Sequence, residues 1–256
     1  MKKLFSFLKD FAEGVNQSNI QAHAAASAFY FFLSLVPFLA ALIAIIPLTG
    51  LESADLLDAL SVYLPDVFRD MVSDIIDEIY VSSGKVLPVS IIISIWLASR
   101  SFSSLIRGIE DIYNTPHYVS FIKRSIIACL FTLLMLAAMI SVPMLIVFGE
   151  KIVGLRLGVL FAAILLTLLF FALYHRTPGM NMPKKALIPG ALAAGCIWLL
   201  FSWLYSLYVR IGGGYSVYGS LAAIIVSLLW MYWCMYFILD GAYLNVFLYK
   251  RRYLRM

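Results

Sequence analysis

Two ionisable side chains interrupt otherwise apolar stretches of this chain. Arg100 falls in Trp96-Leu97-Ala98-Ser99-Arg100-Ser101, with Ser103 and Ser104 close behind. Asp240 falls in Leu239-Asp240-Gly241-Ala242, and Asn245 follows just over one helical turn later. A guanidinium beside hydroxyls can hold a phosphate or carboxylate, and a nearby carboxylate can compete for it. Charge inside hydrocarbon is expensive and marks a functional site by default. Plainer readings stand beside this one: Arg100 snorkels to headgroups, and Asp240 pairs with Arg251 or Arg252. Ser34, just before Pro37, and Trp230 join Ser99, Arg100, Asp240 and Asn245 as the candidate substrate-binding set. Trp230, Tyr232, Trp233 and Tyr236 lie near the middle of an apolar run rather than at an interface, where belt aromatics sit. They either line an amphiphile-sized cavity or pack on neighbouring helices.

Covalent chemistry finds little support. His23, His117 and His175 are far apart and lack metal-ligand spacing. No Ser-His-Asp set, phosphate loop or acidic metal cluster is evident. Cys129, Cys196 and Cys234 are scattered through apolar runs, with neither a disulfide framework nor metal spacing. The expectation is a protein that is not an enzyme, with no cofactor and no metal.

The elements that must position these residues are long apolar runs at 24–48, 87–107, 125–148, 155–174, 187–209 and 220–248. About 20 helical residues cross a hydrocarbon core of about 30 Å. Backbone amides cannot stay unpaired in lipid, so such runs are read as helices. Hydrophobic residues make up 63% of the chain and charged ones 13%, against about 25% charged in soluble domains. The expected fold is an all-α integral membrane protein: residues 1–256 as one domain of six transmembrane helices, with both termini cytoplasmic. In that topology only Arg69, Lys85, Lys151, Arg156 and Arg210 of the 19 basic residues lie outside. The net charge of +5 therefore reads as positive-inside topology rather than as a nucleic-acid footprint.

Residues 1–20 are read as a cytoplasmic interfacial helix. Over 2–12, Leu4, Phe5, Leu8, Phe11 and Ala12 share a face, with Lys2, Lys3 and Lys9 elsewhere. Pro37 predicts a kink near Ser34, serving either packing or a cavity. Residues 52–83 form an acidic outer segment in which 66–80 has helical periodicity. It either caps the bundle or lies solvated at the interface. Pro143 kinks the third span, Gly212–Gly213–Gly214 make an outer turn, and 220–249 would extend about 45 Å as a straight helix.

Three separated motifs resemble the YihY/BrkB family of bacterial membrane proteins, historically also labelled ribonuclease BN. One is Ala24-Ala25-Ala26-Ser27-Ala28-Phe29-Tyr30 running into Leu33-Ser34-Leu35-Val36-Pro37. The second is Trp96-Leu97-Ala98-Ser99-Arg100 with Leu105-Ile106-Arg107. The third runs from Tyr218-Gly219-Ser220 through Leu229-Trp230 to Gly241-Ala242-Tyr243-Leu244-Asn245. The resemblance spans about residues 15–248 and implies a six-helix protein of the bacterial inner membrane. One departure stands out: members typically carry a glutamate where this chain has Tyr243, and the nearby acid here is Asp240. Arg100 and Asn245 match family positions directly. The resemblance also brings labels of virulence factor, ribonuclease and exporter of lipid-like envelope components. Ribonuclease activity is not expected, because metal-assisted hydrolysis needs clustered carboxylates and the inner loops offer only Asp10, Glu13, Glu110 and Asp111. The leading expectation is a transporter of an anionic amphiphile or envelope lipid. The alternative is a membrane scaffold or envelope-assembly factor. Membrane lipids are the expected partners, nucleic acid is not one, and the abundant Gly and Ala leave a homo-oligomer open.

Overall fold

A computed structural model describes residues 2–45, 74, 77–78, 81–114, 126–127, 130–131, 134, 155–177, 182–211 and 219–253. The described residues are helical, joined by turns. The helices are α1 (Lys2–Gln17), α2 (Ile20–Ile45), α3 (Ser83–Ile112), α4 (Leu155–Arg176), α5 (Ile188–Ile211) and α6 (Gly219–Tyr253). A 3₁₀ turn, Lys184–Leu187, leads into α5. Most of the run at 125–148 and of the acidic segment at 52–83 lies outside the described residues, as do Cys129, Pro143, His117 and Gly212–Gly213–Gly214. Within the acidic segment, Asp74, Asp77 and Glu78 are helical and exposed.

Local chemistry sets the helix ends. Asn19, at φ 50°, separates α1 from α2, a left-handed conformation that asparagine tolerates. Its carbonyl then accepts the amides of Ala22 and His23, starting α2. Asn114, at φ 55°, ends α3 in the same way. At the end of α4, Thr177 turns both its amide and its hydroxyl onto the Leu173 carbonyl. Pro189 sits in the first turn of α5, where its missing N–H costs little. Lys250, Arg251 and Arg252 close α6 against the negative end of its dipole.

Among the described residues, four helices are long and apolar enough to cross a membrane: Ile20–Ile45, Gly84–Ile112, Lys184–Tyr208 and Ile224–Arg252. Leu160–Arg176 is a shorter apolar helix. Their outer faces carry exposed large residues such as Val36, Leu39, Ile92, Leu160, Leu200 and Trp203. Apolar surface of this extent is unsuited to water and matches lipid. Pro37 and Pro88 sit inside α2 and α3, and both helices continue through them.

The chain divides into two compact units. One comprises Phe31–Ala98 and the other Met1–Tyr30 with Ser99–Met256. The larger unit holds α1, the start of α2, the end of α3, and α4 to α6. Its core includes Ile20, Phe102, Leu105, Ile109, Phe170, Leu173 and Ile238. In it α4 packs on α5 and α5 on α6, with Phe170 stacked on Trp198 at 5.1 Å between ring centroids.

Candidate functional site

Two helix crossings within the larger unit use the motif residues. In the first, the small face of α2 meets the serine-rich part of α3. Ser101 donates its hydroxyl to the Ser27 carbonyl at 2.7 Å, and both side chains are fully buried. Ser104 donates to the His23 carbonyl at 3.2 Å. Gly108 packs tightly, since a Cβ there would stand 3.0 Å from His23 Cβ and 2.9 Å from the end of the Leu239 side chain. His23 Nε2 lies 2.8 Å from Asp111 Oδ2. Small residues bring the backbones close enough for each hydroxyl to reach across.

In the second crossing α5 and α6 meet glycine to glycine. A Cβ on Gly190 would overlap the Gly241 carbonyl and stand 2.6 Å from the Asn245 amide. A Cβ on Gly241 would stand 2.6 Å from the Gly190 carbonyl and 2.5 Å from the Tyr174 hydroxyl. That hydroxyl donates to the Ile238 carbonyl at 2.6 Å, tying α4 to α6. Asn245 is wholly buried, and its Oδ1 accepts the Gly190 amide at 2.7 Å. First-turn amides have no partner within their own helix, so Asn245 supplies one from a neighbour.

The candidate residues fall in both units. Ser34 belongs to the smaller unit, where it is buried and donates to the Phe31 carbonyl at 2.6 Å within its own helix. Arg100 is exposed on α3, and Ser99 beside it is half-buried. Trp230 packs on Tyr205 at 5.7 Å, and its Nε1 has no hydrogen-bond partner among the described residues. Trp233 lies against Phe201, Tyr236 and Phe237. Asp240 makes no ion pair among the described residues, and its buried Oδ1 has no hydrogen-bond partner there. Among the described residues Asp240 thus forms no ion pair with Arg100, Arg251 or Arg252. Asn245 is engaged by α5. Cys196 and Cys234 are free thiols. His175 stacks on Phe171 at 6.0 Å. Among the described residues no three His, Cys, Asp or Glu side chains converge as a metal site requires.

Other residues gather around the C-terminal turns of α6. One groove, of about 420 Å³, is bounded by the 3₁₀ turn, the start of α5 and the end of α6. Its described lining holds Lys185, Arg251 and Arg252 with no carboxylate, against an apolar wall of Pro189 and Leu248. A second cleft, of about 520 Å³, lies between α1, the end of α3 and the end of α6. Beside it Phe11 sets its ring edge-on to Tyr243 and Phe247, at 5.2 and 5.6 Å. The amphipathic face read over 2–12 thus extends into a longer helix whose Phe11 and Val15 turn inward. Tyr113, at the end of α3, is buried with no hydrogen-bond partner for its hydroxyl among the described residues. Burial pushes that hydroxyl above its ordinary range, which keeps it neutral.

The signal for these sites was partly present in the sequence. Lys184-Lys185 and Lys250-Arg251-Arg252 are visible basic clusters. Their convergence depends on α5 starting beside the place where α6 ends.

Apolar helices of membrane-spanning length, small-residue crossings and lipid-suited outer faces define a helical membrane protein. The chain belongs to the family described as Virulence factor BrkB, whose model matches residues 11–255. It is 28% identical over 267 residues to the ribonuclease-like protein YfkH of Bacillus subtilis, covering 96% of each chain. It is 27% identical over 253 residues to a UPF0761 membrane protein of Mannheimia succiniciproducens, covering 93% of this chain and 88% of that one. A UPF0761 membrane protein of an Enterobacter species is 33% identical over 98 residues, covering 38% of this chain and 34% of that one. No solved structure matches.

Proposed function

We propose that this protein is a bacterial inner-membrane transporter that translocates an anionic amphiphile, with an envelope lipid as its cargo. In this reading the chain spans the membrane six times with both termini in the cytoplasm. It performs no covalent chemistry, and the ribonuclease-like name stays with the Bacillus subtilis relative.

The observation that carries the reading is the groove at the end of α6. Three cations with no carboxylate among its described lining residues favour a phosphate or carboxylate. The apolar wall of Pro189 and Leu248 accommodates the start of an acyl chain. Helix ends rich in Lys and Arg on the cytoplasmic side are where anionic headgroups collect. Arg100, exposed on α3, is the candidate cation elsewhere on the cargo's route.

The test is flux in proteoliposomes. Wild-type protein is expected to move a fluorescent anionic phospholipid across the bilayer faster than a zwitterionic one. Lys185→Gln with Arg252→Gln should lower that rate by about tenfold, the effect of losing about 1.4 kcal/mol of headgroup binding. Flux equal to that of protein-free vesicles would overturn the reading and favour a non-transporting scaffold. Mass spectrometry of co-purified amphiphiles gives a second readout: a defined anionic lipid enriched over bulk membrane, and depleted in Arg100→Ala, would place that arginine on the route.

A further inference from the structure

The larger cleft differs from the cationic groove in the balance of its charge. Asp10 comes from α1, Asp111 from the last turn of α3, and Lys250 and Arg251 from the last turns of α6. Two carboxylates and two cations thus face one space of about 520 Å³. Asp111 is oriented by His23, whose Nε2 lies 2.8 Å from its Oδ2. A carboxylate has acceptor sites for more than one donor, so this contact is compatible with a ligand as well. Lys250 is half-buried and makes no ion pair among the described residues. Lys250 is therefore not neutralised by a described side chain. Asn114, in a left-handed backbone conformation, also borders the cleft. Val246 and Phe247 supply an apolar wall.

We propose that this cleft binds a phosphate ester carrying a primary ammonium group, a headgroup of the phosphoethanolamine type. The phosphate sits on Lys250 and Arg251, where charge-assisted hydrogen bonds to a phosphate are strong. The ammonium sits between Asp10 and Asp111, whose carboxylate oxygens accept its N–H donors. A quaternary ammonium has no N–H to offer them. This site does not depend on the transport reading, and among the described residues its lining shares Arg251 alone with that of the anion groove.

Equilibrium dialysis of radiolabelled dihexanoyl phosphatidylethanolamine against the full-length protein in detergent, with protein-free micelles subtracted, tests the site. Saturable binding is expected, with dihexanoyl phosphatidylcholine competing about tenfold less well, as the loss of a charge-assisted hydrogen bond implies. Lys250→Gln should weaken ethanolamine-lipid binding about tenfold by removing the phosphate partner. Asp10→Asn, on an exposed helix face, should erase the preference for ethanolamine over choline. Lys185→Gln with Arg252→Gln, which impairs the anion groove, should leave ethanolamine-lipid binding unchanged. Soluble phosphoethanolamine competing as well as the lipid would support the site and assign it a water-soluble ligand. Competition by lipid alone would support it and assign a membrane lipid. Non-saturable binding, equal competition by choline lipid, or indifference to both Lys250→Gln and Asp10→Asn would overturn the proposal.

Discussion

The two helix crossings of the larger unit reach close contact by different means. At the α2–α3 crossing, hydroxyls of Ser101 and Ser104 reach across to backbone carbonyls. At the α5–α6 crossing, two glycines let the backbones meet, and one buried asparagine closes the polar gap. A hydroxyl-to-carbonyl contact yields a little, because rotating the serine side chain relieves it. A glycine contact against backbone does not, because neither partner can move without shifting a helix. The motif residues of this chain therefore divide into tolerant and intolerant positions, and intolerance at Gly241 or Asn245 reflects packing before any ligand is considered.

Substitutions can break or sharpen this contrast. Gly241→Val should have the largest effect, since a side chain there meets the Tyr174 hydroxyl and the Gly190 carbonyl. Overpacking costs of about 1–3 kcal/mol or more should appear as loss of monodisperse protein in size-exclusion chromatography. Asn245→Ala should come next, because it leaves the buried Gly190 amide without its acceptor, at about 1–3 kcal/mol. Thermal unfolding in detergent would measure it, and an unchanged midpoint would mean that the amide finds another partner. Ser101→Ala combined with Ser104→Ala should cost less, about 0.6 kcal/mol for each interhelical bond in membrane proteins. A cost matching that of Gly241→Val would erase the contrast between the crossings. Trp203→Leu should have the smallest effect, within about 0.5 kcal/mol, because Trp203 is 62% exposed on the outer face of α5. A large loss there would show that this face is covered by protein rather than by lipid.

Topology is a separate check. Accessibility tags at residues 83 and 181 are expected on opposite sides of the membrane, and finding both on one side would remove the six-span arrangement from the proposal.

Much of the helical framework was legible in the chain. Runs at 187–209 and 220–248 correspond to α5 and α6 with ends displaced by a few residues. The run at 87–107 lies within the longer α3, because the polar turns from Gly108 to Ile112 continue the helix beneath α2. The candidate site was less legible. Arg100 and Asp240 stand out because charge is rare in apolar runs, but rarity does not reveal which helix face each occupies. His23, Asp111 and Gly190 carried no comparable signal, since each looks ordinary in its local sequence and acquires its partner from another helix.

Composition and pattern alone determined that this chain forms apolar helices of membrane-spanning length, because unpaired backbone groups are too costly in lipid for any other arrangement of such runs. They also determined the basic ends of those helices and the small-residue faces that let helices approach. Only the tertiary structure decided which small faces meet, that Asn245 serves the Gly190 amide, and that the basic end of α6 borders one cleft with carboxylates and one groove without any among its described residues. The reason is physical: apolar periodicity encodes what a helix must hide from water, whereas partner choice depends on contacts between residues dozens of positions apart.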